Sequence, residues 1–450
     1  MLPDSDRSAN FMHLNMSVMW LKRAALDIAY GSAAIATSPY WVWRMHRTGK
    51  LRTDWSARFG RVQPALPPRG NATIERRPRV LLHGVSVGEV NAIRLLVTQL
   101  AAQAKPPEII VAATTDTGFA RAQSLFEPLH RVVRYPFDLS FAVGRFLDAT
   151  RPDVVVMVEL EVWPNLTALC AERGIRLVVV NGRLSSRSFP RYRRVRLFVA
   201  PSFARLGAVS AQTSEYAQRF VALGVPSAHV RVGGTMKWDT AEIADQVDGA
   251  DALAAELGID RTRPVVVAGS TAPGEELLIA NALPAGAQLI VAPRKPEWFR
   301  DAAEALVGSV RRTSGQRKSP TDRYVLDTIG ELRKAYALAD VVVVGRSFGA
   351  LHGSDMMEPV ALGKATVVGP RSGDFRETMD ALKAGGGVVE TSAPQLATVL
   401  ARLLASPGER EQLAERGRAV IRAHQGATRR NVELIMSMLA ERHPGGTVHA

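Results

Sequence analysis

The chain has 450 residues, 46% hydrophobic and 22% charged, a globular composition long enough for two domains and unlike a disordered one. A single cysteine, Cys170, excludes an internal disulfide framework and a cysteine-rich zinc site, and it suits a reducing compartment. The net charge of +14 points to an anionic partner: nucleic acid, an anionic membrane surface or phosphorylated substrates. Without a zinc finger, an aromatic RNA-binding signature or a long basic arm, nucleic acid is not expected to be that partner; a solvated basic surface is the plainer reading.

In chain order, the first feature is an uncharged run from Ile28 to Trp43, interrupted by Pro39 and closed by Tyr40, Trp41 and Trp43. It falls short of the roughly 20 residues that cross a bilayer. Lys22, Arg23 and Asp27 precede it; Arg44, His46, Arg47, Lys50 and Arg52 follow at once. The pattern predicts an interfacial or marginally spanning anchor that keeps the rest of the chain cytoplasmic, rather than a cleaved signal peptide. The alternative is a helix docked on the soluble body. Residues 1–60 are therefore set apart as an N-terminal segment.

After a Pro/Gly/Arg-rich connector (Gln63 to Arg79), short β-branched runs alternate with helix-period stretches. The runs are Val80–His83, Ile109–Ala113, Val132–Tyr135, Val154–Val158, Leu177–Val180, Ala208–Ala211 and Val230–Gly233. A polar, alanine-rich break at Asp239–Asp260 precedes a second series: Val265–Ala268, Leu289–Ala292, Tyr324–Leu326, Val341–Val344 and Thr366–Val368. Pro394 to Leu439 reads as helix throughout. This alternation predicts βαβ units in two Rossmann-like halves, residues 61–238 and 239–450, with ligands at the carboxyl ends of the strands and a site in the cleft between the halves.

His83-Gly84-Val85-Ser86-Val87-Gly88-Glu89 follows the first run. Glu89 falls in the first turn of a helix, where spacing alone favours a cap over a catalytic base. Gly84-Val85-Ser86-Val87-Gly88 also fits the nucleophile elbow of serine hydrolases, but no Asp–His pair accompanies Ser86 among the nine histidines. Glu159 and Glu161, before Trp163-Pro164-Asn165, share a face if the strand continues; an acidic helix start is the plainer alternative. Asn181-Gly182-Arg183-Leu184-Ser185 leads into a stretch holding Arg187, Arg191, Arg193, Arg194 and Arg196 with Phe189, Tyr192 and Phe198, a surface for phosphate and lipid or a solvated basic face. In the second half, Gly269–Glu276 is a small-residue turn whose backbone N–H groups, with Ser270 and Thr271, suit a phosphate. Pro293-Arg294-Lys295, Asp327–Glu331 and Met356-Met357-Glu358 complete four strand ends suited to a nucleotide. There is no Walker A loop and no Gly-x-Gly-x-x-Gly after the first strand, and the only Asp-x-Asp is Asp4-Ser5-Asp6. No metal site is indicated.

Taken together, the segments resemble the 3-deoxy-D-manno-octulosonic acid (Kdo) transferases of lipid A biosynthesis. The likeness runs from Trp55-Ser56-Ala57-Arg58-Phe59-Gly60 through Val85–Glu89, Glu159–Asn165, Asn181–Ser185, Lys237-Trp238-Asp239, Gly269–Glu276, Gly330-Glu331-Leu332, Glu358-Pro359 and Gly369-Pro370, all in family order. The resemblance implies a GT-B fold, an N-terminal membrane-associated segment at the cytoplasmic face of the inner membrane, and inverting transfer of Kdo from CMP-Kdo to a phosphorylated lipid A precursor without cofactor or metal. It implies Glu89 as proton acceptor, and Glu159 and Lys237 as transition-state stabilisers. Pro293, Arg294, Ile329, Gly330, Glu331, Asp355, Met356, Met357 and Glu358 are implied as CMP contacts; Ser86, Gly88, Arg183, Ser270 and Thr271 stand beside them as candidate phosphate or acceptor contacts read from their turns. Where the family commonly has Gly-Gly-His-Asn-Pro-Leu-Glu, this chain has His352-Gly353-Ser354-Asp355-Met356-Met357-Glu358. Lys295 and Arg371 replace common histidines, and Asp374 a common asparagine.

Overall fold

A computed structural model describes residues 24, 26–28, 30–32, 35–47, 53–62 and 77–440. Asp4-Ser5-Asp6, Lys22, Arg23, Lys50, Arg52 and residues 63–76 of the connector lie outside the described residues.

The chain forms two compact units. One is Lys237–Gln425; the other joins the described residues up to Met236 with those from Gly426 onward. The first unit holds a seven-stranded sheet of β1 (Arg79–Gly84), β2 (Glu108–Ala113), β3 (Arg131–Arg134), β4 (Val154–Val158), β5 (Arg176–Gly182), β6 (Ala208–Ala211) and β7 (Val230–Val232), in the spatial order β3-β2-β1-β4-β5-β6-β7. The pairings are parallel. Its central strands are buried along their whole length, because helices cover both faces, and this is why they read as continuous apolar runs rather than alternating ones. Separate apolar clusters fill the two sides, one around Leu81, Phe146 and Phe203, the other around Leu82, Leu96 and Ile435.

The second unit repeats the design. β8 (Val265–Thr271), β9 (Gln288–Pro293), β10 (Val310–Arg311), β11 (Arg323–Val325), β12 (Val341–Val344), β13 (Ala365–Val368) and β14 (Val389–Glu390) lie in the order β10-β11-β9-β8-β12-β13-β14, again parallel. In each sheet the first strand has its sequence successor on one side and a later strand on the other, so β1/β4 and β8/β12 are switch points, where open α/β sheets bind ligands.

The C-terminal stretch is helical, as expected, and divides into Leu396–Ala405, Pro407–His424 and Ala427–Ala440. The last of these leaves the second unit. Val432, Leu434 and Ile435 join the core of the first sheet, and the Arg176 guanidinium reaches the Met438 carbonyl. The boundary expected after Trp238, with residues 239–450 as one domain, thus moves to Met236/Lys237 and gains a return crossing at Gln425/Gly426. Residues 35–47 are helical, and among the described residues no helix is long and apolar enough to cross a membrane.

Candidate active site

At the β1 end, Gly84 turns through Val85 and Ser86 into the helix Val87–Ala92. Ser86 is the N-cap: its Oγ accepts the Glu89 N–H at 3.5 Å and donates to Glu89 Oε1 at 3.0 Å. Glu89 Oε2 accepts the Val85 N–H at 2.7 Å. This is a variant of the capping box, in which the N3 carboxylate takes the N–H of the residue before the cap and the cap's own hydroxyl. It fixes the Glu89 carboxylate in one orientation while leaving the residue partly accessible rather than sealed. The turn is braced from the β2 end, where Thr115 N–H and Oγ both donate to the Val85 carbonyl, at 3.1 and 2.9 Å. Gly118 lies beneath it; a Cβ there would come within 2.8 Å of the Val85 oxygen. Thr115 and Gly118 were missed by sequence reasoning, although Thr114-Thr115-Asp116-Thr117-Gly118 carries a visible N-cap and glycine signal.

Across the switch point, β4 stops at Val158 and Glu159 takes a left-handed φ of 61°. The strand does not continue, so the shared-face argument for Glu159 and Glu161 fails. The two carboxylates are nonetheless linked to the same place. Burial raises the Glu159 pKa, Glu89 raises it further, and Arg183 opposes. Burial brings Glu161 up to about 7, against the Trp163 indole N–H that donates to it at 2.8 Å, with Glu89 and Glu159 adding repulsion. Glu89, Glu159 and Glu161 therefore form one electrostatic cluster, with Arg183 as a cation beside it. A left-handed residue that is not glycine stores strain, and such residues gather at functional sites.

Ser86 as a hydrolase nucleophile finds no support in this geometry: the hydroxyl's partner is a carboxylate, not an imidazole. The nearest histidine in sequence, His83, is fully buried, bonds to Thr114 Oγ1 at 3.0 Å, and stacks on Tyr135 at 3.7 Å. Burial holds its pKa down at about 3, so it stays neutral.

Asn181, the last left-handed non-glycine residue of this half (φ 53°), accepts the Met236 N–H at 3.1 Å through Oδ1 and thereby ties down the residue before Lys237. Lys237 itself falls in the second unit, its ammonium 4.1 Å above the Phe375 ring. Of the three residues expected to carry the chemistry, Glu89 and Glu159 share a site within one unit.

In the second unit, the β8 end is closed rather than open. Ser270 is left-handed (φ 57°), and Gly269 lies against Tyr336 so closely that a Cβ would sit 2.1 Å from its hydroxyl. The turn before the helix Glu275–Asn281 does not present free N–H groups in the way expected of a phosphate site. Buried Glu275 accepts the Ala272 N–H at 3.0 Å, and from the β12 end the Arg346 and Phe348 N–H groups at 2.5 and 2.9 Å. Thr271 is fully buried and donates its hydroxyl to Glu276 Oε1 at 2.7 Å, which corrects its expected phosphate role. Ser270 remains partly accessible.

Three of the other residues expected to contact CMP act on buried Tyr336. Burial raises its pKa; Glu358 and Asp355 raise it further and Arg294 lowers it. Glu358 lies 3.7 Å from Arg333, and burial lifts its pKa in spite of that cation. Asp355 Oδ1 accepts the Met357 N–H at 2.9 Å at the start of the short helix Met357–Ala361. Met356 and Met357 are buried in the core, so any ligand contact from them is through backbone. Arg294 is exposed, following buried Pro293 at the β9 end, and Ile329 and open-sided Gly330 (φ 94°) are exposed beside Glu331. Glu331 accepts Thr328 Oγ at 2.5 Å and pairs with Arg312 at 3.3 Å. Arg333 and Glu275 were not singled out from the sequence. Among the described residues no cluster of His, Cys, Asp and Glu could hold a metal ion.

Residues 53–240 match the family model described as 3-deoxy-D-manno-octulosonic-acid transferase (kdotransferase). The 3-deoxy-D-manno-octulosonic acid transferase of Bordetella pertussis is 31% identical over 427 residues, covering 89% of this chain and 96% of that one. The enzyme of the same name from Haemophilus influenzae is 29% identical, covering 82% and 89%. Among solved structures, a glycosyltransferase from Rickettsia africae shares the fold with a TM-score of 0.54 at 11% identity, covering 82% of this chain and all of that one. With two parallel-sheet α/β units, a capping-box glutamate at the first switch point and an identity of this size over nearly its whole length, the chain belongs to the 3-deoxy-D-manno-octulosonic acid transferase family.

Proposed function

We propose that this chain transfers Kdo from CMP-Kdo to a phosphorylated lipid A precursor with inversion, Glu89 accepting the proton of the attacking hydroxyl. The observation that carries the reading is the Glu89 carboxylate: oriented by two short-range donors, partly accessible, and set among Glu159 and Glu161. A sugar hydroxyl is a poor nucleophile, and a positioned base contributes roughly 10²–10⁴-fold. As the acceptor oxygen bonds to the anomeric carbon, the bond from that carbon to the CMP phosphate breaks and the proton passes to Glu89. Glu159 faces the positive charge that develops on the sugar ring; Lys237 and Arg294 neutralise the phosphate that leaves. Glu358, Asp355 and the Ile329–Glu331 turn hold the CMP. Burial, with neighbouring negative charge, raises Glu159 and Glu161, and Glu161, at about 7, gives the site a carboxyl that changes charge near neutrality. The test is CMP release with CMP-Kdo and a tetra-acylated lipid A precursor. Wild-type turnover with a loss of about 10²–10⁴ in Glu89→Gln supports the reading; full activity in that variant sinks it.

The acceptor is a lipid, and we propose that the N-terminal segment meets the cytoplasmic face of the inner membrane. Ile35, Tyr40, Trp41, Val42 and Trp43 are exposed on the helical residues 35–47, with Arg44 and Arg47 5.5 and 5.0 Å over the Trp41 and Trp43 rings. Exposed indoles backed by arginines suit an anionic lipid surface. The helices Phe189–Arg194 and Arg196–Ala204 add exposed arginines and the exposed Leu197 and Phe198. Sedimentation with anionic and neutral vesicles tests this. Binding that needs anionic lipid and drops about tenfold in a Trp41→Ser/Trp43→Ser variant supports it; equal binding to both vesicles contradicts it.

A further inference from the structure

Among the helices of the first unit that start without a local side-chain cap, two share their acceptors. Leu139 precedes the helix Ser140–Thr150 and Trp163 precedes the helix Pro164–Glu172, and neither side chain accepts a helix N–H. The first N–H groups of a helix need acceptors. Here they come from far away in sequence. Asp138 accepts the Asn165 N–H at 3.0 Å and the Leu166 N–H at 2.9 Å. Asp27, from the N-terminal segment, accepts the Ser140 N–H at 3.0 Å, the Ser140 hydroxyl, and the Asn165 side-chain amide at 3.0 Å. That amide also donates to the Asp138 carbonyl at 2.6 Å, and Tyr30 reaches Asp138 from the same segment at 3.4 Å. Asn165 is fully buried, so these acceptors are its alternative to water.

The position of this knot gives it a consequence. Asn165 and Leu166 open the helix immediately after the turn Glu159–Trp163, the turn that carries two carboxylates of the cluster around Glu89. We infer that Asp27 is a positioning residue: the N-terminal segment, besides any part it plays at a membrane, clamps the start of the helix Pro164–Glu172 and so fixes the Glu159–Glu161 turn. Removing the segment to obtain a smaller protein removes the cap of one helix and the restraint on another. The kinetic part of this inference rests on the transferase reading above; the structural part does not.

The full chain in detergent, with acceptor dispersed in the same micelles, separates the clamp from membrane attachment. Hydrogen exchange is read first. Asp27→Ala raises exchange of the Asn165 and Leu166 amides and of the Glu159–Trp163 backbone about tenfold, while Asp148→Asn, a lost carboxylate elsewhere on the helix Ser140–Thr150, leaves it unchanged. In the transfer assay kcat falls about tenfold with KM for CMP-Kdo held. Ser140→Ala, which removes a single hydroxyl from the knot, keeps the protein folded if Asp27→Ala does not and shows the same changes at smaller amplitude. Unchanged exchange in both variants overturns the clamp. Faster exchange with wild-type kcat overturns the positioning role. If the wild type transfers no Kdo, the transferase reading fails, and exchange alone decides the clamp.

Discussion

Each half places a glutamate in the first turn of the helix that follows its first sheet strand, Glu89 after β1 and Glu275 after β8, and each follows the neighbouring strand with a left-handed residue, Glu159 after β4 and Arg346 after β12. The fates of the two glutamates differ. Glu89 takes its donors from its own turn and stays partly accessible. Glu275 is buried and takes two of its three N–H donors, those of Arg346 and Phe348, from the far side of the switch point. A first-turn glutamate, at N3 in one half and at N1 in the other, thus yields a partly accessible carboxylate in the first unit and a buried fastener in the second. Donor count and burial, not topology, separate a base from a brace.

The sharpest way to break this comparison is at Glu275. Glu275→Ala leaves three backbone N–H groups without their acceptor and should lower stability by about 3–5 kcal/mol in urea unfolding; a change below about 1 kcal/mol would remove the brace. Second comes the glycine pair. Gly269→Ala drives a methyl into the Tyr336 hydroxyl and should destabilise by roughly 2–3 kcal/mol. Gly88→Ala meets nothing nearer than Ser86 Oγ at 3.7 Å and should stay within about 1 kcal/mol, on the stabilising side. A smaller effect concerns pH. Asp138 and Glu161 are both raised to about 7, chiefly by burial. Raised carboxyls favour the folded state when protonated, so their contribution is complete below the ordinary carboxyl range and is lost as pH rises through about 7. The melting temperature should fall between about pH 5 and about pH 8, and Glu161→Gln should shrink that fall. A rise in melting temperature over the same range would contradict the assignment. Smallest is Ser86→Ala, which removes one cap at about 1 kcal/mol and loosens Glu89 without abolishing turnover. Complete loss of turnover in a folded Ser86→Ala would favour a nucleophilic serine.

The strands were readable because a parallel strand covered on both faces must be apolar throughout, as Val341–Val344 shows. β10 and β14, two residues each at the sheet edges, leave too little pattern to detect. The helix Ala427–Ala440 was readable as a helix, but its return to the first sheet depends on packing against residues far earlier in the chain, among them Val178 and Val180. The site divides the same way. Ser86 and Glu89 announce their capping box in the sequence because it is local. Glu275 bonded to Arg346 and Phe348, and Asp27 bonded to Ser140 and Asn165, are long-range pairings that no spacing rule reports. Glu159 and Glu161 were singled out for an alternation that the left-handed turn at Glu159 abolishes, yet burial beside Glu89 puts them in the site.

The most direct test sets the two glutamates side by side as glutamines, which keep size and hydrogen-bonding capacity but lose the base. CMP release from CMP-Kdo with a lipid A precursor, together with urea unfolding, is measured for both. The account predicts that Glu89→Gln folds like wild type and loses about 10²–10⁴ in kcat, whereas Glu275→Gln unfolds earlier and, where folded, turns over within a few-fold of wild type. Wild-type turnover in Glu89→Gln would contradict it.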